Sequence, residues 1–167
     1  MYKLGIITSS DKGYSGERKD ESGLVIAHIA KENGFKVEKY IVLPDKREML
    51  RDEMINMADN LGVDLILTTG GTGFSKRDVT PEATKDVIEK EALGIPEAIR
   101  SYSMTITKRA MLSRATAGIR KDTLIVNMPG SPKACREVMD YILEDLKHGI
   151  DILKGDAREC ARKQAYV

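Results

Sequence analysis

A glycine-rich stretch, "TTGGTGFSKRDVTPEAT" at residues 68 to 84, constrains the fold more than any other part of the chain. It follows "VDLIL", an apolar run of strand length that predicts a strand buried on both faces. Further on, Thr80 and Pro81 predict the start of a helix, with Thr80 as N-cap and Pro81 in the first turn. A buried strand that leads through glycines into a helix is typical of an α/β domain.

The same alternation of strand and helix continues along the chain. Apolar runs predict four strands, at residues 4–8, 37–43 and 63–67 and in "TLIVNMPG", which begins at residue 123. Amphipathic or capped segments predict five helices: 22–33, 46–61, one from Pro81, 95–106, and one from Ser131-Pro132 to Leu153. Short connections between them predict a three-layer α/β sandwich, with a mostly parallel sheet and helices on both faces. We expect one domain over residues 1–167, with 156–167 as its tail.

Composition excludes several classes of function. The 27 basic and 26 acidic residues leave a net charge of +1, so we expect no nucleic-acid partner. No apolar stretch approaches about 18 residues, and "MYKLGIITSSD" lacks the regions of a signal peptide, so we expect no membrane association. Cys135 and Cys160 form no CxxC motif and predict structural thiols, which favours the reduced cytoplasm.

Polar residues follow each predicted strand, and in an open α/β sheet this edge binds ligands. The four predicted strand ends supply Ser9, Ser10 and Asp11; Pro44 and Asp45; Thr68 to Gly73; and Asn127 with Pro129 to Lys133. Since the strands themselves are almost purely apolar, these residues predict a ligand-binding rim.

The glycine loop at Gly70, Gly71, Thr72 and Gly73 has two interpretations. Glycines allow backbone N–H groups to approach an anion closely, and the following helix N-terminus adds partial positive charge, which suits phosphate. The loop matches neither the P-loop nor the dinucleotide-binding pattern. A tight turn after a strand is the alternative.

Two aspartates at different strand ends, Asp45 and Asp78, also have two interpretations. Each could assist a turn or a helix cap. Together, beside a glycine loop, they predict a Mg²⁺ site, because Mg²⁺ binds one or two carboxylates plus substrate phosphates.

Two further segments are candidates for anion binding. "NMPGSPKA", with Pro129, Gly130, Ser131 and Lys133, is either a second anion site or a plain capped helix start. Ser113-Arg114 lies in a predicted loop, where the arginine could contact phosphate in a bidentate manner or remain a solvated surface residue.

The two long motifs, "TTGGTGFSKRDVTPEAT" and "LSRATAGIRKDTLIVNMPGSPKA", resemble the molybdopterin-binding, or MoaB/Mog, domain family. "SSD", "LPD" and "LKHGIDILKGD" extend the resemblance over nearly the whole chain. Within the family, "TPEA" and "SPKA" favour the adenylyltransferase type, which includes the G domain of gephyrin.

The resemblance implies a Mg²⁺-dependent step of molybdenum cofactor synthesis, in which the terminal phosphate of molybdopterin attacks the α-phosphorus of ATP. It implies that Asp45 and Asp78 are the catalytic, metal-handling residues. Binding of the nucleotide and substrate is expected from Ser10, Asp11, Gly70, Gly71, Thr72, Gly73, Ser113, Pro129, Gly130, Ser131 and Lys133. It further implies a homotrimer and a separate downstream protein that inserts molybdate.

Two other functions remain open at the level of sequence. A non-catalytic paralogue or scaffold would bind molybdopterin without releasing pyrophosphate from ATP. A nucleotide pyrophosphatase of the related competence-damage family would hydrolyse a dinucleotide without any pterin.

Overall fold

The computed structural model describes residues 1–155, which form a six-stranded sheet and its covering helices. The strands are β1 (Tyr2–Ser9), β2 (Phe35–Leu43), β3 (Leu65–Thr69), β4 (Lys90–Glu91), β5 (Ala117–Arg120) and β6 (Thr123–Met128). The helices are α1 (Asp11–Tyr14), α2 (Ser22–Glu32), α3 (Arg47–Ile55), α4 (Thr80–Lys85), α5 (Gly94–Met104) and α6 (Pro132–Leu153). A π-helical turn at Asn56–Asn60 extends α3, and a 3₁₀ turn occupies Lys108–Leu112.

The sheet has the strand order β2-β1-β3-β6-β5-β4, and the four long strands β2, β1, β3 and β6 run parallel. Strand β5 pairs antiparallel with β6, and the edge strand β4 pairs antiparallel with β5. From β1 the chain passes through α2 to β2 on one side, whereas β3 is followed by strands on the other side. The ends of β1 and β3 therefore form the topological switch point, where ligands bind in open α/β sheets.

Alternate residues of the central strands face opposite layers of helices. Ile6, Leu67 and Val126 belong to the core cluster beneath α2, α5 and α6. Ile7 and Ile66 belong to a second cluster beneath α3 and α4. The predicted three-layer sandwich is thus confirmed, with two apolar cores and a strongly buried parallel centre.

Several predicted boundaries and elements differ from the structure. The strand predicted at 63–67 lies at Leu65–Thr69, so both threonines pair in the ladder instead of starting the loop. The loop after β1 contains α1, which Ser10 caps by accepting a hydrogen bond from Gly13. Strands β4 and β5 were not predicted, because two and four residues are too short to show a period.

Two predicted helix starts also differ in detail. Thr80 was expected to cap α4, but it lies within the helix and its hydroxyl donates to the Gly70 carbonyl at 2.9 Å. Ser131 caps α6 as predicted, accepting from the Ala134 N–H at 3.2 Å. The helix predicted at 46–61 becomes π-helical after Ile55.

Of the two cysteines and the tail, the structure describes only Cys135. Cys135 is fully buried, and burial raises the pKa of its thiol to about 11, which fits the predicted structural role. Cys160 and the whole tail at 156–167 lie outside the described residues. Among residues 1–155, no helix is both long and apolar enough to span a membrane.

Candidate functional site

A cavity of about 620 Å³ opens at the carboxyl ends of β1 and β3, at the switch point of the sheet. Its walls come from the loop after β1, the end of β2, the glycine loop and the start of α6. The lining residues are Thr8, Ser9, Ser10, Gly13, Arg18, Lys19, Asp20, Glu21, Ser22, Asp45, Thr69, Gly70, Gly71, Asp78, Gly130, Ser131 and Pro132. A volume of this size is typical of small-molecule sites.

The structure brings about half of the predicted site residues to this cavity. Those that line it are Ser10, Asp45, Gly70, Gly71, Asp78, Gly130 and Ser131. Those outside its lining are Asp11, Thr72, Gly73, Ser113, Pro129 and Lys133. Both candidate metal ligands therefore face the same space, although 33 positions separate them in the chain.

Asp45 is held in place by the loop that follows β1. One carboxylate oxygen accepts the Ser9 hydroxyl at 2.6 Å, and the other accepts the Asp11 backbone N–H at 3.2 Å. Each oxygen thus accepts one hydrogen bond and keeps further lone pairs for a ligand. Hydrogen bonds therefore orient the Asp45 side chain without using all of its acceptor capacity.

The glycine loop leads to Asp78, which also lines the cavity. Gly70 and Gly71 adopt φ of +89° and +67°, a region that favours glycine. A Cβ atom on Gly70 would stand 2.4 Å from the Ser9 carbonyl oxygen, so β1 and the loop can approach this closely only at glycine. Asp78 closes the loop, since its carboxylate accepts the Ser75 backbone N–H at 3.0 Å.

Arg114 fastens this loop from outside the cavity. Its guanidinium donates to the Gly73 carbonyl at 2.7 Å and to the Asp78 carbonyl at 2.8 Å, and its backbone N–H donates to Thr72 at 2.8 Å. It also pairs with Glu82. Burial is the largest single influence on the pKa of Glu82 and raises it, but the Arg114 hydrogen bond, a backbone hydrogen bond and the charges of Arg114 and Arg47 together lower the pKa below its usual value. The Arg114 guanidinium therefore has protein acceptors in this structure, and its contact with phosphate stays a prediction.

Asp20 is a cavity residue that sequence reasoning missed. Its carboxylate accepts the hydroxyls of Thr8, at 2.6 Å, and Tyr40, and the Gly23 N–H at 3.1 Å. Burial, followed by the hydrogen bond to Asp20, raises the pKa of Tyr40. The contact with Gly23 is local, but Thr8 and Tyr40 lie on β1 and β2, and therefore no local pattern could have identified these two partners.

Two cations also line the cavity, Arg18 and Lys19 on the loop before α2. Four carboxylates share the lining with them: Asp20, Glu21, Asp45 and Asp78. The basic pair in "GERKD", in the polar loop that connects β1 to α2 at the ligand edge, is the sequence signal that could have indicated them.

The remaining predicted binding residues have partners within the protein. The Pro129 carbonyl accepts the Thr69 hydroxyl at 2.6 Å, and the Ser113 hydroxyl accepts the Ala115 N–H at 3.3 Å. Lys133 is exposed, with its ammonium 3.9 Å from a Glu137 oxygen. Their roles in ligand binding stay predictions.

The donor set of the cavity fits a hard divalent cation. In the part of the chain that the structure describes, no lysine or arginine forms an ion pair with Asp45 or Asp78, whereas Asp11 is paired with Arg77. Two carboxylates on one cavity beside a phosphate-compatible glycine loop match the preferences of Mg²⁺, which takes few protein ligands and keeps waters.

Comparisons with known proteins agree with this architecture. The family described as "probable molybdopterin binding domain" matches residues 5–148. The molybdopterin adenylyltransferase of Helicobacter pylori strain J99 is 36% identical over 163 residues, which cover 96% of this chain and 92% of that protein. Gephyrin of Dictyostelium discoideum is 40% identical over 179 residues, covering 98% of this chain but 25% of that protein.

Among solved structures, the molybdopterin biosynthesis enzyme MoaB of Thermus thermophilus superposes with a TM-score of 0.87 at 42% identity. The match covers 93% of this chain and 98% of that one. The fold and nearly the full length of the chain are thus shared with these proteins.

Proposed function

The chain belongs to the molybdopterin-binding domain family, in which its relatives include nucleotidyltransferases of molybdenum cofactor biosynthesis, and on that premise we propose that it is a molybdopterin adenylyltransferase. It would transfer AMP from ATP to the terminal phosphate of molybdopterin. The observation that carries the proposal is the pair of carboxylates, Asp45 and Asp78, which share one cavity with the glycine loop and form no ion pair with a lysine or arginine among residues 1–155.

The reaction is a displacement at phosphorus. An oxygen of the molybdopterin phosphate forms a bond to the α-phosphorus of ATP, the bond from that phosphorus to the β-phosphate bridging oxygen breaks, and pyrophosphate leaves. Such a transfer needs positioning and charge neutralisation more than covalent help from the protein. The absence of a nucleophile–base pair from the motifs of this chain is consistent with that requirement.

The residues in and around the cavity would have separate roles in this reaction. Asp45 and Asp78 would hold Mg²⁺, which supplies neutralisation of phosphate charge when bound. Gly70 and Gly71, which both adopt positive φ and carry no side chain, would let an anionic ligand approach the backbone of the loop closely. Arg18 and Lys19 add positive charge to an otherwise acidic lining. Arg114, outside the cavity lining, holds the glycine loop through hydrogen bonds to its backbone carbonyls.

We also propose that one domain over 1–167 assembles as a homotrimer in the cytoplasm and delivers its product to a molybdate-insertion protein. Exposed apolar side chains around the end of α5 and the 3₁₀ turn support self-association. Met104, Ile106, Met111 and Leu112 are between 43% and 60% exposed in the single chain. Sedimentation analysis would measure the mass of the assembly.

The activity is tested by incubating the protein with molybdopterin, ATP and Mg²⁺ and analysing the products by mass spectrometry. We expect a pterin–AMP adduct and an equimolar amount of pyrophosphate. Pterin binding without an adduct would identify a non-catalytic binder. In a parallel incubation with a dinucleotide and no pterin, hydrolysis of the dinucleotide would identify a pyrophosphatase.

A further inference from the structure

An ion pair between Asp11 and Arg77 connects two loops at the carboxyl edge of the sheet. The arginine Nε and Nη2 donate to the two oxygens of Asp11, each at 2.9 Å, so the pair is bidentate. This hydrogen bond is the main cause that lowers the pKa of Asp11. The pair joins the loop after β1 to the turn that carries Asp78, across 66 positions of the chain.

On one side, the pair reaches Asp45 through the backbone. The Asp45 N–H donates to the Asp11 carboxylate at 3.0 Å, while the Asp11 N–H donates to the Asp45 carboxylate at 3.2 Å. The two residues thus form a closed, reciprocal pair. Any displacement of Asp11 would move a hydrogen-bond donor of the Asp45 side chain.

On the other side, the pair reaches Asp78 through a compact turn. Arg77 precedes Asp78, and its N–H donates to the Ser75 hydroxyl at 3.2 Å. The Asp78 N–H donates to the Ser75 carbonyl at 3.0 Å, and the Asp78 carboxylate accepts the Ser75 N–H. The turn is therefore rigid enough to transmit the position of Arg77 to Asp78.

We propose that the Asp11–Arg77 pair is a strap that sets the positions of Asp45 and Asp78 relative to each other, and so prepares the metal site. Asp11 and Arg77 are then positioning residues. The inference rests on the proposed function, because it assumes that both carboxylates hold one ion. The exposed fractions of the two side chains, 42% and 57%, place the pair where its own contribution to folding is small. The bidentate contact is thus better explained by the positioning of Asp45 and Asp78 than by a contribution to the stability of the fold.

The strap is tested by measuring Mn²⁺ affinity by electron paramagnetic resonance in the presence of a non-hydrolysable ATP analogue. For Arg77→Gln we expect the apparent Kd for Mn²⁺ to rise about 10-fold or more, as for other groups that orient metal ligands. Arg77→Lys, which keeps the charge but loses the bidentate contact, should fall between Gln and wild type. Hydrogen exchange at the Asp45 amide should accelerate in Arg77→Gln without any metal.

The matched control is Arg120→Gln, which removes a bidentate arginine–aspartate pair with Asp59 at the other end of the sheet. This variant should bind Mn²⁺ like wild type, even where thermal unfolding shows it to be less stable. Unchanged Mn²⁺ affinity and Asp45 exchange in a folded Arg77→Gln would overturn the strap alone. If wild type itself does not bind Mn²⁺ with the analogue, both the strap and the proposed metal site are wrong.

Discussion

The two ends of the parallel sheet both carry aspartates, but the aspartates form ion pairs at one end and the two candidate metal ligands form none at the other. At the amino end, a groove of about 500 Å³ contains Asp59 and Asp64. Asp59 pairs with Arg120 at 2.7 Å and with Lys121 at 3.1 Å, and Asp64 pairs with Lys154 at 2.7 Å. At the carboxyl end, Asp45 and Asp78 have no such partner among residues 1–155.

The difference separates structural carboxylates from functional ones. A charge that the protein neutralises itself needs no ligand, and removal of one partner of a largely buried pair such as Asp59–Arg120 destabilises the fold. A carboxylate that is oriented by hydrogen bonds yet forms no ion pair favours a positively charged ligand. The carboxyl end, with its glycine loop, therefore has the properties of a site, whereas the amino end has those of a closed structural network.

The largest expected effect comes from making the same substitution, aspartate to asparagine, at each end of the sheet. Asp45→Asn or Asp78→Asn should lower the rate of adenylyl transfer roughly 10²–10³-fold, since charge stabilisation at phosphorus is lost, with little change in Tm. Asp59→Asn should do the reverse, lowering Tm and leaving the rate unchanged. Steady-state kinetics and thermal unfolding of the three variants measure both effects. Equal loss of rate in all three would remove the distinction between the ends.

The second effect concerns the glycines. Gly70 and Gly34 have similar φ values, +89° and +84°, but a Cβ atom at Gly34 would meet nothing within 4 Å. Gly34→Ala should therefore lower the free energy of unfolding by about 1 kcal/mol. Gly70→Ala should cost about 3 kcal/mol, because strain adds to the contact with the Ser9 carbonyl oxygen.

Urea unfolding gives both free energies, and pyrophosphate release gives the activity. Gly34→Ala is expected to retain activity in proportion to its folded fraction. Gly70→Ala should lose activity even at temperatures where it is folded. Equal free energies for the two variants would show that the close approach at Gly70 is not needed.

The smallest effect is the pH dependence of stability at the amino end. Hydrogen bonding to Arg120 lowers the pKa of Asp59 below its usual value. Its stabilising contribution is hence fully present above the unfolded pKa, about 3.9, and is lost as the pH falls through the lower folded value. The stability difference between wild type and Asp59→Asn, measured by urea unfolding, should shrink between pH 6 and pH 3. A difference that is the same at both pH values would contradict this electrostatic explanation.

Much of the fold followed from local patterns, whereas the detail of the site did not. Apolar runs and Pro-capped helix starts predicted the four parallel strands and placed Asp45 and Asp78 on one edge. Strand β4 has only two residues, both exposed, and its pairing depends on β5, so nothing local predicts it.

The hydrogen-bond partners of site residues are also distant in the sequence, so local patterns do not predict them. Arg114 meets Gly73 across 41 positions, and the Asp20 carboxylate meets Tyr40 and Thr8 only after α2 has packed on the sheet. An arginine in a predicted loop suggests a phosphate contact from sequence. In the folded chain its guanidinium donates to the Gly73 and Asp78 carbonyls, and its backbone N–H donates to the Thr72 carbonyl.

The most direct test is a crystal structure with Mn²⁺ and a non-hydrolysable ATP analogue, in which anomalous scattering locates the metal. The account predicts a peak between the carboxylates of Asp45 and Asp78, with the triphosphate against Gly70 and Gly71. A peak in the amino-end groove beside Asp59 or Asp64, or a bound analogue with no metal near Asp45 and Asp78, would contradict it.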